Sequence, residues 1–177
     1  MPLSLSAFAD PGAERRLTEA AEAGPGRLEI PAGAIGSIGV LRAAREHGLE
    51  SVVFRAANGP LAWSRTAASG MIDLHGATSP AVFFRGSVRD VARLFPCNLN
   101  VSVGVALAGL GLDRTTAELT VNPALTQARF EAEAIAGPGR ALIRVQGPGR
   151  PALADPIDYT TFSVLRLLLR RYSRIMI

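Results

Sequence analysis

At 177 residues, 48% hydrophobic and 19% charged, with a mean hydropathy of +0.23, the chain suits one domain with a substantial core and is too apolar to be disordered. It has no apolar run long enough to span a membrane, no basic and apolar leader in its first ten residues, and a single cysteine, Cys97, so a cytoplasmic protein without disulfides or membrane contact is expected. The net charge of +4 would suit a nucleic-acid partner, but all 19 basic residues are Arg, which reads as a GC-rich genome; they look scattered outside "LRLLLRRYSR" and no aromatics interleave with them, so no nucleic-acid partner is expected.

In chain order, "MPLSLSAFADPGAERRLTEAAEAG" predicts an apolar scrap, a turn at Asp10 and Pro11, and an amphipathic helix from about Pro11 to Ala23. Asp10 as N-cap, proline in the first turn and nearby acids mark that start. "GPGRLEIP" predicts a turn and a short strand, and Ala34 to His47 a helix, with Ile35, Ile38, Leu41 and Ala44 at helical spacing and Gly48 as its stop. "ESVVFRAA" reads as a strand, "NGPLAWSRTAASGMIDLHGATSP" as a long connection with a helical turn near its middle, and "AVFFRG" as a second strand.

"SVRDVARLF" predicts a short helix capped by Ser87, and "PCNLNVSVGVALAGLGLD" a buried helix ending near Gly109 to Gly111. Three alternating strands follow, "TTAELTVNP", "ARFEAEAIAG" and "RALIRVQG", for which antiparallel hairpins fit best, with Pro138 and Gly139 in one turn. In the middle strand Ala128, Phe130, Ala132 and Ala134 share one face, and Arg129, Glu131 and Glu133 the other. "DYTTFSVLRLLLRRYSRI" predicts a final amphipathic helix capped by Asp158. The fold class is α+β: a mostly antiparallel mixed sheet with helices on one face, preceded by the remnant of an α/β unit.

"EIPAGAIGSIGVLRAAREHG" poses the functional question, because glycine-rich backbone between a strand and a helix is how phosphate cradles begin. Gly33, Gly36 and Gly39 fail the G-x-G-x-x-G spacing, and "AGLGLD" follows a helix instead of a strand, so no dinucleotide phosphate loop is read in the chain. His47 suits a helix C-terminus, His75 lies in the long connection, and Ser87 lacks both a nucleophile motif and a histidine partner. Two distant histidines and one cysteine make no metal site.

The segments "IPAGAIGSIGVLRAAREHGLESVVFRA", "RGSVRDVARLFPCNLNVSVGVALAGLGLDRT" and "VNPALTQ" resemble the C-terminal domain of L-aspartate dehydrogenases, in the family's order and over nearly the whole chain. The resemblance implies an oxidoreductase using NAD or NADP on aspartate or iminoaspartate for nicotinamide cofactor synthesis. It implies residues 1–32 as a remnant of the nucleotide-binding Rossmann domain and 33–177 as the substrate and dimerisation domain. "PAGAIGS" resembles the inter-domain segment beside the nicotinamide, so Gly33, Ala34 and Ile35, with Asn98, are expected to face the cofactor. Asn100 and Arg129 are expected to face a small carboxylate or amino-acid substrate.

Departures accompany the resemblance. The family's catalytic histidine position falls on Phe130, whose ring cannot carry a proton. Arg85 stands where the family has an acid, Asn58, Gly59 and Pro60 replace a basic residue and prolines, and "DPIDYTT" replaces an Asn-Pro-Lys-Thr-Ser segment. Two readings follow: a homodimeric dehydrogenase domain, incomplete or repurposed, that needs a nucleotide-binding partner chain, or a non-catalytic ligand-binding or oligomerisation module. In either, a sheet face carrying Phe130, Ile143 and Val145 is expected to be exposed for a twofold partner.

Overall fold

Alternating apolar residues in five segments find one common face and build one sheet. The computed structural model describes residues 5–35, 38–96, 99–146 and 159–174. The strands are β1 (Ser51–Asn58), β2 (Ala81–Ser87), β3 (Thr116–Val121), β4 (Arg129–Ala136) and β5 (Gly139–Gln146), in the order β2-β3-β1-β4-β5. β1 and β3 are parallel, and the other three pairings are antiparallel. The helices are α1 (Pro11–Ala23), α2 (Ile38–Glu46), the single turn α3 (Pro60–Trp63), α4 (Val88–Leu94), α5 (Asn100–Ala108) and α6 (Tyr159–Leu169), with 3₁₀ turns at Ser6–Ala9 and Ala67–Gly70.

The inner face carries Val52, Phe54 and Ala56 from β1, Ala117, Leu119 and Val121 from β3, and Ala132 and Ala134 from β4, all buried. Each such side chain contributes roughly 1.5–3 kcal/mol when it is a Val, Leu or Phe and less for Ala. α5 lies over this face; it is apolar nearly all round because neighbours surround it, and Gly109 at its end packs against Val52. The outer face is ionic. Arg55 bridges Glu133 at 2.6 Å and Glu118 at 3.8 Å, Arg140 bridges Glu133 at 2.7 Å, and Arg144 bridges Glu131 at 2.8 Å. Two arginines on Glu133, Arg55 foremost, hold its carboxyl below the usual range.

Several local expectations hold because their causes are local. α1 begins where expected, with the Asp10 side chain accepting from the Gly12 N–H at 2.9 Å. Ser87 closes a capping box: its hydroxyl accepts from the Asp90 N–H and the Asp90 carboxylate accepts from the Ser87 N–H, each at 3.1 Å. The Asp158 cap lies outside the described residues.

Three expectations are corrected. Residues 27–32 are not a strand: the edges of the sheet are formed by β2 and β5, and among the described residues no strand pairs with Leu28 to Ile30. β3 and β4 do not form a hairpin; β1 lies between them, and only β4 and β5 are joined by a tight turn, with Gly137 at φ +53°. Phe130, Ile143 and Val145 are not an open face. Phe130 pairs across from Ala56 and Val145, and Ile143 from Ala132, so all three lie half-buried on the inner face against the core.

The segment before residue 33 is packed into that same core: Leu5, Phe8 and Ala9 are buried with Ile35 and Leu41. Its clamp is Arg89 at the start of α4, only 7% exposed. The guanidinium donates to both Asp113 carboxylate oxygens, to Glu14 at 2.7 Å, and to the carbonyls of Phe8 and Ala9 at 2.9 and 3.3 Å. Five acceptors around one fork keep Arg89 charged, and the hydrogen bond from Arg89 holds Asp113 below the ordinary carboxylate range.

Candidate functional site

The parallel pair β1 and β3 defines an end of the sheet, the C-terminal end of both strands, where connections converge. Asn58 leads through Gly59 into α3, and Val121 leads into the 122–128 loop. The two loops interlock: the Asn122 N–H donates to the Asn58 carbonyl at 2.9 Å, and Gly59 packs against the Leu125 carbonyl so closely that a side chain would have no room. Trp63 of α3 donates its indole N–H to the Thr120 carbonyl at 2.9 Å and stacks edge-on with Phe83 and Phe95.

The helices place the other expected site residues. α5 ends over the start of β1, where Gly109 meets Val52, and its first residue, Asn100, is tied to Leu5. α2 starts beside α5, with Ile38 against Gly104, and finishes with His47 beside Gly137 at the far end of β4. Residues 33–35 lead into α2. Gly33 turns there with φ +66°, a conformation that suits glycine, and its N–H donates to the Ser163 hydroxyl of α6 at 3.1 Å.

Phe130 thus lies across from Ala56 near the C-terminal end of β1, Gly33 is held by Ser163 and Asn100 by Leu5, while Arg129 points away from Phe130. Arg129 lies on the outer face, 3.5 Å from Glu131, because neighbouring strand residues point to opposite sides. Arg85, 67% exposed, faces outward too and pairs with Glu118 at 3.4 Å. Asn98 lies outside the described residues.

Chemically, this end is apolar with few polar handles. Phe130 stacks on Phe54 with ring centroids 6.1 Å apart. Ile35 is fully buried and serves the core, leaving only its backbone to face a ligand. The Asn100 Oδ1 accepts from the Leu5 N–H at 3.1 Å, so its amide NH₂ is the donor left for a carboxylate. His75 sits in an exposed turn organised by Asp73, which accepts from the His75 N–H at 3.0 Å, and His47 lies at the opposite end.

For a dinucleotide, the fit is partial. Among the described residues β1 leads only to the single turn α3 and β2 runs directly into α4 through Ser87, so neither offers a glycine-rich turn at a long helix for the phosphates. No described group of His, Cys, Asp and Glu could hold a metal ion, and no described helix is long and apolar enough to cross a membrane.

These features define an α+β domain built on a five-stranded mixed sheet with one parallel strand pair. The family model for the C-terminal domain of aspartate dehydrogenase matches residues 39–171, and the chain belongs to that family. It is 38% identical over 179 residues to the L-aspartate dehydrogenase of Cupriavidus necator, covering 100% of this chain and 66% of that protein. It is 39% identical over 168 residues to that of Pseudomonas aeruginosa, covering 94% and 62%. The crystal structure of aspartate dehydrogenase from Thermotoga maritima superposes with a TM-score of 0.76 at 25% identity, over 97% of this chain and 65% of that one. The chain thus spans about two thirds of the length of the relatives it matches.

What sequence reading missed is the use of arginine. Arg89 gave no signal beyond a charge in a short amphipathic helix, yet it ties four segments together. Arg27, Arg42 and Arg45 looked scattered, and they meet the arginines of α6 in space.

Proposed function

We propose that residues 33–177 form the substrate and dimerisation part of an aspartate-dehydrogenase-like oxidoreductase, a relative of enzymes that use NAD or NADP on aspartate or iminoaspartate. Residues 1–32 are the tail of a nucleotide-binding unit whose phosphate-gripping turn must come from elsewhere. The backbone at Gly33 to Ile35, with Asn98, faces the nicotinamide; the Asn100 amide faces the substrate carboxylate. What supports this reading is the family match over residues 39–171, together with the place of Phe130 on the inner face of the sheet, across from Ala56 and stacked on Phe54. Because residue 130 is Phe, proton transfer from that position is closed and the chain is a repurposed or silent form of the enzyme. A second reading, a non-catalytic ligand-binding or assembly module, draws support from the Phe54 and Phe130 stack, which gives the pocket an apolar wall where acid–base chemistry needs a titratable group.

The test fuses the nucleotide-binding third of a relative to this chain, with and without Phe130→His, and follows NADH formation from aspartate. The proposal expects activity to rise at least tenfold on restoring histidine; an equal rate for both fusions, with both folded and binding NADH, would refute it.

A further inference from the structure

The net charge hides a strong asymmetry. Two clefts share Leu28, Ile30, Arg42, Leu167 and Arg170, one of about 540 Å³ between α2, α5 and α6 and one of about 480 Å³ beside it. Around them stand Arg42 and Arg45 of α2, Arg166 of α6, Arg170 and Arg171 just after it, and Arg27, with Glu29 as the one acid in either lining. Setting aside these six of the 19 basic residues and one of the 15 acids leaves 13 against 14, so the clefts hold the whole positive excess of the chain. Glu29 is already engaged, at 2.6 Å, by Arg171. Arg27, Arg42, Arg45 and Arg170 make no ion pair among the described residues.

Like charges on facing segments repel, and the spacing is regular: Arg42 and Arg45 are about one turn apart on α2, as are Arg166 of α6 and Arg170 in the turn just after it. That arrangement is costly for a bare surface and favourable around an anion, which planar guanidinium forks bind two-pronged when it is a phosphate. The floor is apolar, built from Leu28, Ile30, Ile38, Leu107 and Leu167. A cavity of this size lies in the range of small-ligand sites, roughly 300–1,000 Å³.

We propose that these clefts form a binding site for a small phosphorylated molecule with an apolar body, its phosphates between the α2 and α6 arginines and its body on the Leu28, Ile38 and Leu167 floor. The site borders the 33–35 turn, since Ser163, which accepts from the Gly33 N–H, is part of its lining, but the binding does not depend on any dehydrogenase chemistry. It also orders the domain, since an anion between α2 and α6 would relieve the repulsion that opposes their packing.

The test titrates the 177-residue chain with inorganic pyrophosphate, with an alkyl diphosphate of the same charge and with single-stranded DNA, by calorimetry at moderate salt. The proposal expects the alkyl diphosphate to bind at least about tenfold more tightly than pyrophosphate, and to raise the melting temperature. The double variant Arg42→Gln with Arg170→Gln should weaken binding at least tenfold, while Arg65→Gln, away from the clefts, should not. Binding that follows charge alone, with DNA the tightest ligand, would overturn it, as would full affinity in the folded double variant. If the double variant melts early, Arg45→Gln alone gives the same reading.

Discussion

Replacing Arg89 with methionine keeps the aliphatic stem and deletes the fork, which makes the contribution of the clamp measurable. Two buried carbonyls, of Phe8 and Ala9, lose their donor, and an unsatisfied buried acceptor costs about 1–3 kcal/mol. The carboxylates are lesser losses. Asp113 is 69% exposed and rehydrates, and Glu14 is 26% exposed on α1, so their share is discounted for solvent screening. The sum is about 3 kcal/mol, or a fall of about 6–12 °C in melting temperature for a chain of this size.

The loss should be localised. Residues 5–24 should become sensitive to protease and exchange their amides quickly while the sheet stays protected. The pH dependence has a definite sign. Arg89 depresses the folded-state pKa of Asp113, so the pair contributes stability above the unfolded carboxylate value of about 3.9 and loses it as pH falls through the folded value. The gap between wild type and variant should be constant from about pH 7 to pH 5 and narrow below about pH 4. A melting shift under about 2 °C, or uniform protease sensitivity, would refute the assignment of Arg89 as the clamp of the N-terminal segment.

Gly59→Ala should destabilise by about 2 kcal/mol or more in chemical denaturation, because the new methyl group meets the Leu125 carbonyl, backbone that cannot swing aside. Ser87→Ala should cost about 1 kcal/mol by removing one half of the capping box, with Ser87→Asp recovering most of it. Phe54→Ala, at a fully buried position, should cost about 3–5 kcal/mol, and Phe130→Ala, half-buried at the rim of the same stack, about half as much; the reverse order would mean that the inner face is misassigned. Self-association is expected from light scattering, with a mass of one protomer as the contrary result.

The elements were legible where a residue acts on its neighbours. Asp10 with Pro11, Ser87 with Asp90 and the alternation of Arg129 to Ala136 each state their structure within one or two turns of chain. Pairing was not. The alternation of Thr116 to Val121 is the same whether its neighbour is the next strand or, as here, β1 and β2, and the strand-like "RLEI" has the pattern without a strand partner among the described residues. The arginine clefts were illegible for the same reason, since α2 and α6 are brought together by the layer beneath them and each helix alone shows only a solvated face.

Residue 130 joins the two halves of this problem. Its side chain lies on the inner face because it alternates with Arg129 and Glu131, so whatever stands there is held against Phe54 and Ala56. A histidine in that place would be pushed toward its neutral form by burial and would forfeit part of the stacking area, a cost that catalysis can justify and a silent domain need not bear. Phe130 resolves the conflict toward packing. It follows that Phe130→His should lower the melting temperature of this chain even where it restores turnover in a fused protein. A histidine that stabilised the chain would mean that a polar partner waits at this end, and with it a pocket more intact than the apolar wall suggests.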